Sequence, residues 1–325
     1  MDNTIKFLVS KINVERLDIY LSKKMKNYTR SFVKKLILQK FVSVNRKICI
    51  SPSLKIKTND KIIIKMIKER ENELIPKKIR LNIIYEDSDI LVINKPKGLV
   101  VHPGAGNFQN TLANGLVFRY KKNLSNLNGD FRPGIVHRID KETSGLLVVA
   151  KNNLSHSVLS KQFSNHTIKR KYDCLVWGVI RPLTGKIETL ITRHKNNRQL
   201  MTVSEINGKR AVTNYKTVKV FTGKDIPKIS LVECELETGR THQIRVHFKY
   251  KGTSLIGDEQ YGKKNIKFKK VNKLFLENLN SIKGQALHAK TLEFNHPTKK
   301  KWMSFGSNYP VDFKKMLSFL NNLNS

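Results

Sequence analysis

Acidic residues are what this 325-residue chain most lacks: 25 Asp and Glu stand against 62 Lys and Arg, a formal net charge of +37 with histidine neutral. A surface so short of negative charge excludes an acidic binding module and points to a polyanionic partner. Cysteine is nearly absent too. Cys49, Cys174 and Cys234 are odd in number and far apart, which excludes a disulfide framework and suits a reducing compartment. No apolar run approaches 18 residues, so no membrane-spanning helix is expected. The opening MDNTIKFLVSKINVERLD lacks the basic, apolar and small-residue zones of a secretory leader, and a cytoplasmic protein is expected. Neither a cysteine cluster nor a His-Glu-x-x-His helix is present, so no metal is expected at His242, His247, His288 or His296.

What is present suffices for a folded protein. Hydrophobic residues make up 39%, with 15 Phe and 9 Tyr, and at about 150 residues per domain the length suggests two domains. Residues 1–67 read as the first. Leu17, Leu21 and Met25 have helical spacing, a second helix begins near Ser31, and Val42, Val44, Ile48, Ile50 and Ile62 to Ile64 mark short strands. The charged, Pro76-containing stretch 68–80 is the expected linker, and 81–325 the second domain. Within it, IIYEDSDILVINKP, LLVVA, YDCLVWGVI, RAVTNYKTVKVF, ISLVECELE and ALHAKTLEF read as strands. Pro310 is placed to open a closing helix. Many strands and few long helices give an α+β class with a mixed, largely antiparallel sheet.

Three segments combine polar chemistry with tight turns. RPGIVHRIDKETSGLLVVA, residues 132–150, mounts His137, Arg138 and Asp140 directly before an apolar strand, which suits a rigidly held carboxylate. The same pattern also suits an aspartate that caps a turn and pairs with Arg138 or Lys141. ETGRTHQIRVHF places Arg240 in a turn, then His242 and Arg245 at helix-compatible spacing. An arginine there is able to orient a carboxylate or to hold a phosphate. QALHAKTLEFNHP and LIGDEQYG offer His288, Asp258 and an aromatic turn, for shape or for substrate contact. VVHPGAG is glycine-rich but lacks the Gly-Lys-Ser/Thr ending of a nucleotide triphosphate loop.

HRIDKETSGLLVVAKN resembles the His-Arg-Leu-Asp motif of the large ribosomal RNA pseudouridine synthases, with Ile139 in place of leucine. YEDSDILVINKPKGLVVHPG, KRKYDCLVWG, TGRTHQIRVH and GDEQYG extend that resemblance, in the family's order, over roughly residues 80–300. The segments ERLDIYLSKK, TRSFVKKLILQKFVSVNRK and KTNDKIII resemble the small RNA-binding domain first described in a small-subunit ribosomal protein. Lys40, Arg46 and Asn59 replace its usual turn glycines. Asn tolerates a left-handed turn, whereas Lys and Arg give less conformational relief.

The resemblance implies an isomerase that converts uridines of large-subunit (23S) ribosomal RNA to pseudouridine, with the loop of helix 69 as target. It implies Asp140 as the catalytic carboxylate, Arg245 beside it, Tyr172 stacked on uracil and Arg138 filling the space left by the extruded nucleotide. RNA contacts are implied at Arg16, Lys23, Arg30, Lys34, Lys35, Arg46 and Lys47, and at His137, Arg240 and His242. No cofactor is implied, because the product is an isomer. The expected state is a monomer acting on RNA of an assembling large subunit. A non-catalytic RNA-binding or ribosome-assembly protein would share the same basic surface, as would a DNA-binding protein.

Overall fold

Leu17 and Leu21, four residues apart, lie side by side on helix α1 (Leu17–Lys24), and Val33, Leu36 and Ile37 form the inward stripe of α2 (Arg30–Leu38). This is seen in a computed structural model that describes residues 3–10, 14–25, 30–66, 74–104, 106–121, 123–129, 131–262 and 271–323. The chain divides into two units, Met1–Asn72 and Glu73–Ser325.

In the first unit both helices cover a four-stranded sheet, in the order β1 (Asn3–Leu8), β6 (Lys61–Met66), β3 (Val42–Val44), β4 (Lys47–Ile48). A short ladder joins β2 (Glu15–Arg16) to β5 (Lys55–Ile56). Strand β1 is an addition to the sequence expectation. Its alternating Ile5 and Phe7 are only partly buried, so its apolar signal is short and weak. The replaced turn glycines matter structurally: Lys40, Arg46 and Asn59 all adopt positive φ, at 67°, 67° and 70°. Asn45 and Arg46 form the two-residue connection from β3 to β4, and both are left-handed, the geometry that favours Asn-Gly.

The second unit is built on one ten-stranded sheet. Its main path runs β12 (Met201–Ser204), β11 (Thr184–Arg193), β13 (Lys209–Gly223), β14 (Ile226–Leu236), β10 (Lys169–Trp177), β15 (Leu287–Asn295), β9 (Ser144–Ala150), β8 (Ile90–Lys95), β7 (Ile83–Glu86), with β16 (Trp302–Gly306) beside β15. Among the strand ladders of this sheet in the described residues only β9–β15 is parallel, so the mixed, largely antiparallel sheet and the α+β class are as the sequence indicates. The two strands meet at Gly145, whose φ is 112° and where a Cβ would lie 2.3 Å from the Ala289 carbonyl oxygen. A side chain there would force apart the strand that carries the polar turn.

Helices α3 (Leu112–Tyr120), α4 (Asn153–Ser164), α5 (Gln243–Tyr250), α6 (Lys273–Ser281) and α7 (Val311–Asn322) complete this unit. The last two bury Phe275, Phe313, Met316 and Leu320, and Pro310 is the N-cap of α7. Of the expected linker, residues 68–73 lie outside the described residues. Residues 74–80 run against α3: Leu74 is buried, Asn114 Nδ2 donates to the Ile75 carbonyl at 2.8 Å, and Gly115 leaves room for Ile79. Among the described residues no helix is long and apolar enough to cross a membrane.

A non-glycine residue pays roughly 1–2 kcal/mol in the left-handed region, and glycine costs about 0.5–1 kcal/mol in chain entropy. Lys40→Gly and Arg46→Gly are therefore each expected to stabilise the first unit by about 0.5–1 kcal/mol. Amide hydrogen exchange in β3 and β6 should slow in both variants. Unchanged or faster exchange would show that these turns carry no strain.

Candidate active site

The segment from His137 to Asp140 ends in a turn closed by the Thr143 N–H, which donates to the Asp140 main-chain oxygen at 3.1 Å. The turn is fastened from below. Lys95, fully buried at the end of β8, donates from Nζ to the carbonyls of Pro96 (2.7 Å) and Lys141 (3.0 Å). The Gly98 N–H donates to the same Lys141 oxygen at 3.0 Å, and Gln285 Nε2 donates to Thr143 Oγ1 at 3.0 Å. Asp140 thus stands on the wall of a cleft of about 600 Å³, lined also by Arg138, Arg170, Tyr172, Arg240, His242 and Arg245.

The Asp140 carboxylate does not serve the local turn. Its ion-pair partner is Arg245, 105 positions along the chain, whose Nη1 donates to Oδ2 at 3.0 Å. Arg245 is itself clamped, with Nε and Nη2 donating to the two Asp258 oxygens at 2.7 and 2.9 Å and Nη2 also reaching Gln260 Oε1 at 2.9 Å. Its guanidinium lies 4.8 Å from the centre of the Tyr261 ring. Asp258 Oδ1 also accepts the backbone N–H groups of Gln260 and Tyr261, at 3.1 and 3.0 Å. Burial opposes the charge on Arg245, but hydrogen bonds and charges from Asp258 and Asp140 outweigh it and hold its pKa above the usual arginine value.

The turn before α5 is set by Gln243, whose buried amide is fully satisfied. Its Oε1 accepts from Thr238 Oγ1 (2.8 Å) and the Arg240 N–H (2.9 Å), while Nε2 donates to Val212 O and Thr213 Oγ1, both at 3.0 Å. His242, the N-cap of α5, is in a left-handed conformation, φ 55°. The Tyr261 hydroxyl accepts the Met201 N–H at 2.8 Å and meets His242 Nδ1 at 2.7 Å. If that hydroxyl donates to Nδ1, the neutral ring carries its proton on Nε2, 3.9 Å from Asp140 Oδ1. Burial lowers the His242 pKa despite Asp140, so the ring is neutral near pH 7.

Tyr172 reaches the cleft from β10. It is buried, and burial raises the pKa of its phenol. Arg138 is exposed but steered, because its Nη1 donates to His102 Nε2 at 3.1 Å while His102 Nδ1 donates to the Pro103 carbonyl at 3.0 Å. The VVHPGAG loop therefore orients an arginine at the cleft. Arg240 Nε is engaged by the Arg210 carbonyl at 2.9 Å.

His137, an expected RNA contact, lines the cleft. Its Nε2 accepts the Val148 N–H at 3.0 Å, its ring lies 4.5 Å from that of Phe163, and burial pulls its pKa down to about 3. It is a neutral strut. In the first unit Arg16 and Arg30 converge on the fully buried Asp18, at 3.0 and 2.8 Å, and Lys23 pairs with Glu15 at 2.5 Å. Those arginines hold the fold together as well as presenting charge. Lys34, Lys35, Arg46 and Lys47 are exposed.

The histidines considered for metal are engaged elsewhere. His247 sits between Thr189 and Thr213, and His288 between Ser144 and Ser307; burial lowers the pKa of each to about 4. His296 lies with Asp87 and Asp89, but Lys299, Thr298, Asn152 and Ser155 already bond to these carboxylates. Lys95, His102, Gln243 and Gln260 escape the sequence reading as parts of the site. The detectable signal was Lys95, a lysine that closes a strand opened by the apolar run ILVI.

The profile of the RNA pseudouridylate synthase family matches residues 89–250, and that of the S4 domain residues 15–62. The chain is 41% identical over 307 residues to the uncharacterized RNA pseudouridine synthase YlyB of Bacillus subtilis, covering 94% of each. It belongs to the RNA pseudouridine synthase family. Ribosomal large subunit pseudouridine synthase D of Zymomonas mobilis is 42% identical over 308 residues, covering 94% of this chain and 93% of the relative. The solved structure of human RNA pseudouridylate synthase domain containing 4 superposes with a TM-score of 0.57 at 25% identity, covering 74% of this chain and 93% of that one. This pseudouridine synthase is thus an isomerase acting on RNA, with an S4 RNA-binding domain at its N-terminus.

Removing one partner of a buried ion pair costs about 3–5 kcal/mol. Asp258→Ala is expected to destabilise the second unit by about that amount and to slow single-turnover isomerisation more than it weakens RNA binding. An unaltered rate in folded Asp258→Ala protein would disprove the clamp. Lys95 supplies a pH test. Burial lowers its pKa to about 7, against about 10.4 in the unfolded chain. Between those values the unfolded chain holds one more proton, so stability rises with pH. Relative to Lys95→Met, the wild type should gain up to about 4 kcal/mol from pH 7 to pH 10, read from urea unfolding. A pH-independent difference would refute the assignment.

Proposed function

We propose that this enzyme isomerises uridines of large-subunit (23S) ribosomal RNA, in the loop of helix 69, with Asp140 as the catalytic carboxylate. The observation that carries the reading is the Asp140–Arg245 ion pair, 3.0 Å long, at the wall of a cleft that Tyr172 and Arg138 also line. The substrate is suggested by relatives named ribosomal large subunit pseudouridine synthase D.

In this reading the target uridine leaves its stack, for which a loop is cheaper than a continuous duplex. Arg138, steered by His102, fills the vacated space. Tyr172 stacks against the uracil, whose N1–C1′ bond breaks before C5 bonds to C1′; C5 then gives up its proton and N1 takes one up. Arg245 fixes the direction of the Asp140 carboxylate throughout. Atoms balance within the nucleotide, so the conversion calls for no redox or group-transfer reagent. The S4 domain contributes phosphate contacts through Lys34, Lys35, Arg46 and Lys47, which set register without reading sequence. We place the enzyme in the cytoplasm as a monomer, acting on RNA of an assembling large subunit.

Purified wild type and Asp140→Ala should be incubated with large-subunit RNA without added cofactor and pseudouridines mapped at nucleotide resolution. The variant is expected to lose at least about 100-fold in rate while still binding RNA. New pseudouridines outside helix 69 would move the target. Tight binding with no conversion by wild type on any assembly substrate would favour a non-catalytic assembly role.

A further inference from the structure

Arg170, two positions before Tyr172 on β10, lines the same cleft and takes no part in the Asp140 arrangement. It is 7% exposed, yet its only hydrogen bond among the described residues is a long one, Nη2 to the Leu236 carbonyl at 3.4 Å. Its Nε is buried without a partner. Among the described residues no carboxylate pairs with it. The contrast with Arg245 is direct, since that side chain is 5% exposed and holds two aspartates. Arg170 is instead braced by its surroundings: the guanidinium lies 5.5 Å from the centre of the Phe163 ring, and Nη1 occupies the space beside Gly239, 2.8 Å from where a Cβ would stand.

Arginine stays protonated under any physiological condition, and a buried charge without a counter-ion destabilises the fold that contains it. The cleft around it is otherwise poor in negative charge. The neighbouring His137 is neutral, and Arg170 itself contributes to keeping it so. An unpaired guanidinium held rigidly on the wall of a substrate cleft is completed by an anion from the substrate. We propose that Arg170 is the binding site for a phosphodiester group beside the extruded uridine. A uracil carbonyl would satisfy donors but leave the charge uncompensated, whereas phosphate oxygens satisfy both. Gly239, in the TGRTH motif, is then the residue whose missing side chain lets Nη1 reach its place.

This inference rests on the RNA substrate of the proposed function, and its test separates the two. Wild type, Arg170→Met and Arg170→Lys would be measured on a helix 69 stem-loop in which a single uncharged methylphosphonate is moved through the loop. At one position beside the target, wild type should lose about 10- to 100-fold in affinity. Arg170→Met should show the same loss on unmodified RNA and no further loss from that methylphosphonate, with Arg170→Lys between. Without RNA, Arg170→Met should melt at or above the wild-type temperature, because it removes an unpaired buried charge. Full methylphosphonate sensitivity in Arg170→Met at every position would overturn the proposal, as would a lower melting temperature with unchanged RNA affinity. If wild type fails to convert the stem-loop, the target is wrong. Binding of the same three proteins to full-length large-subunit RNA, with the melting comparison, still decides Arg170.

Discussion

One guanidinium joins the parts of the second unit that matter for chemistry. Arg245 presents the edge formed by Nε and Nη2 to Asp258 and leaves Nη1 for Asp140. The first contact is bidentate and wholly buried on the Asp258 side, so it fixes the plane of the guanidinium. The second is single and partly open, with Asp140 19% exposed. The asymmetry gives the pair its direction: Asp258 holds the arginine, and the arginine aims Asp140. Asp258 is held in turn by two backbone N–H groups of its own turn. Without that turn, α5 would carry a buried arginine with a single counter-ion at the cleft surface.

Burial sorts the remaining ionisable groups. His137, His242, His247 and His288 are all driven toward the neutral form by desolvation, and hydroxyl or backbone groups bond to each. They act as shaped polar struts. The charges that persist at the cleft belong to arginines and to Asp140. Such an arrangement suits a substrate whose base is neutral and whose backbone is anionic.

Much of this architecture was legible in the sequence, because short apolar runs mark the buried strands β8, β9, β10, β14 and β15. Strand β11 was not, since its burial alternates only partially and Lys186 and Glu188 pair across its outer face. Helix α3 contains Gly115, a poor helix former, and stands on a capping box of Thr111 and Asn114. The status of Asp140 lay outside local pattern altogether. A turn cap paired with a neighbour and a carboxylate aimed into a cleft have the same sequence signature. The structure separates them: Lys141 pairs with Glu142, Arg138 bonds to His102, and the turn uses the main-chain oxygen of Asp140. Likewise nothing local distinguishes Arg16 and Arg30, both bound to Asp18, from the lysines around them.

The scarcity of acid gives the remaining carboxylates their diagnostic value. With 25 acidic residues against 62 basic ones, an exposed lysine carries little information, since many would be present whatever the local structure required. A buried or half-buried aspartate in the same field is informative. Asp18 gathers two arginines from α2 and the start of α1, Asp87 gathers Lys299, His296 and Tyr85, and Asp258 gathers Arg245 and two backbone donors. Each closes a junction between elements distant in sequence or pins a tight turn. Asp140 departs from that pattern, because its one strong partner holds it at a cleft wall instead of sealing it inside. Arg170 departs in the opposite sense, as a buried cation with no carboxylate partner among the described residues. In a chain that places its few acids where structure needs them, these two exceptions fall on the same cleft.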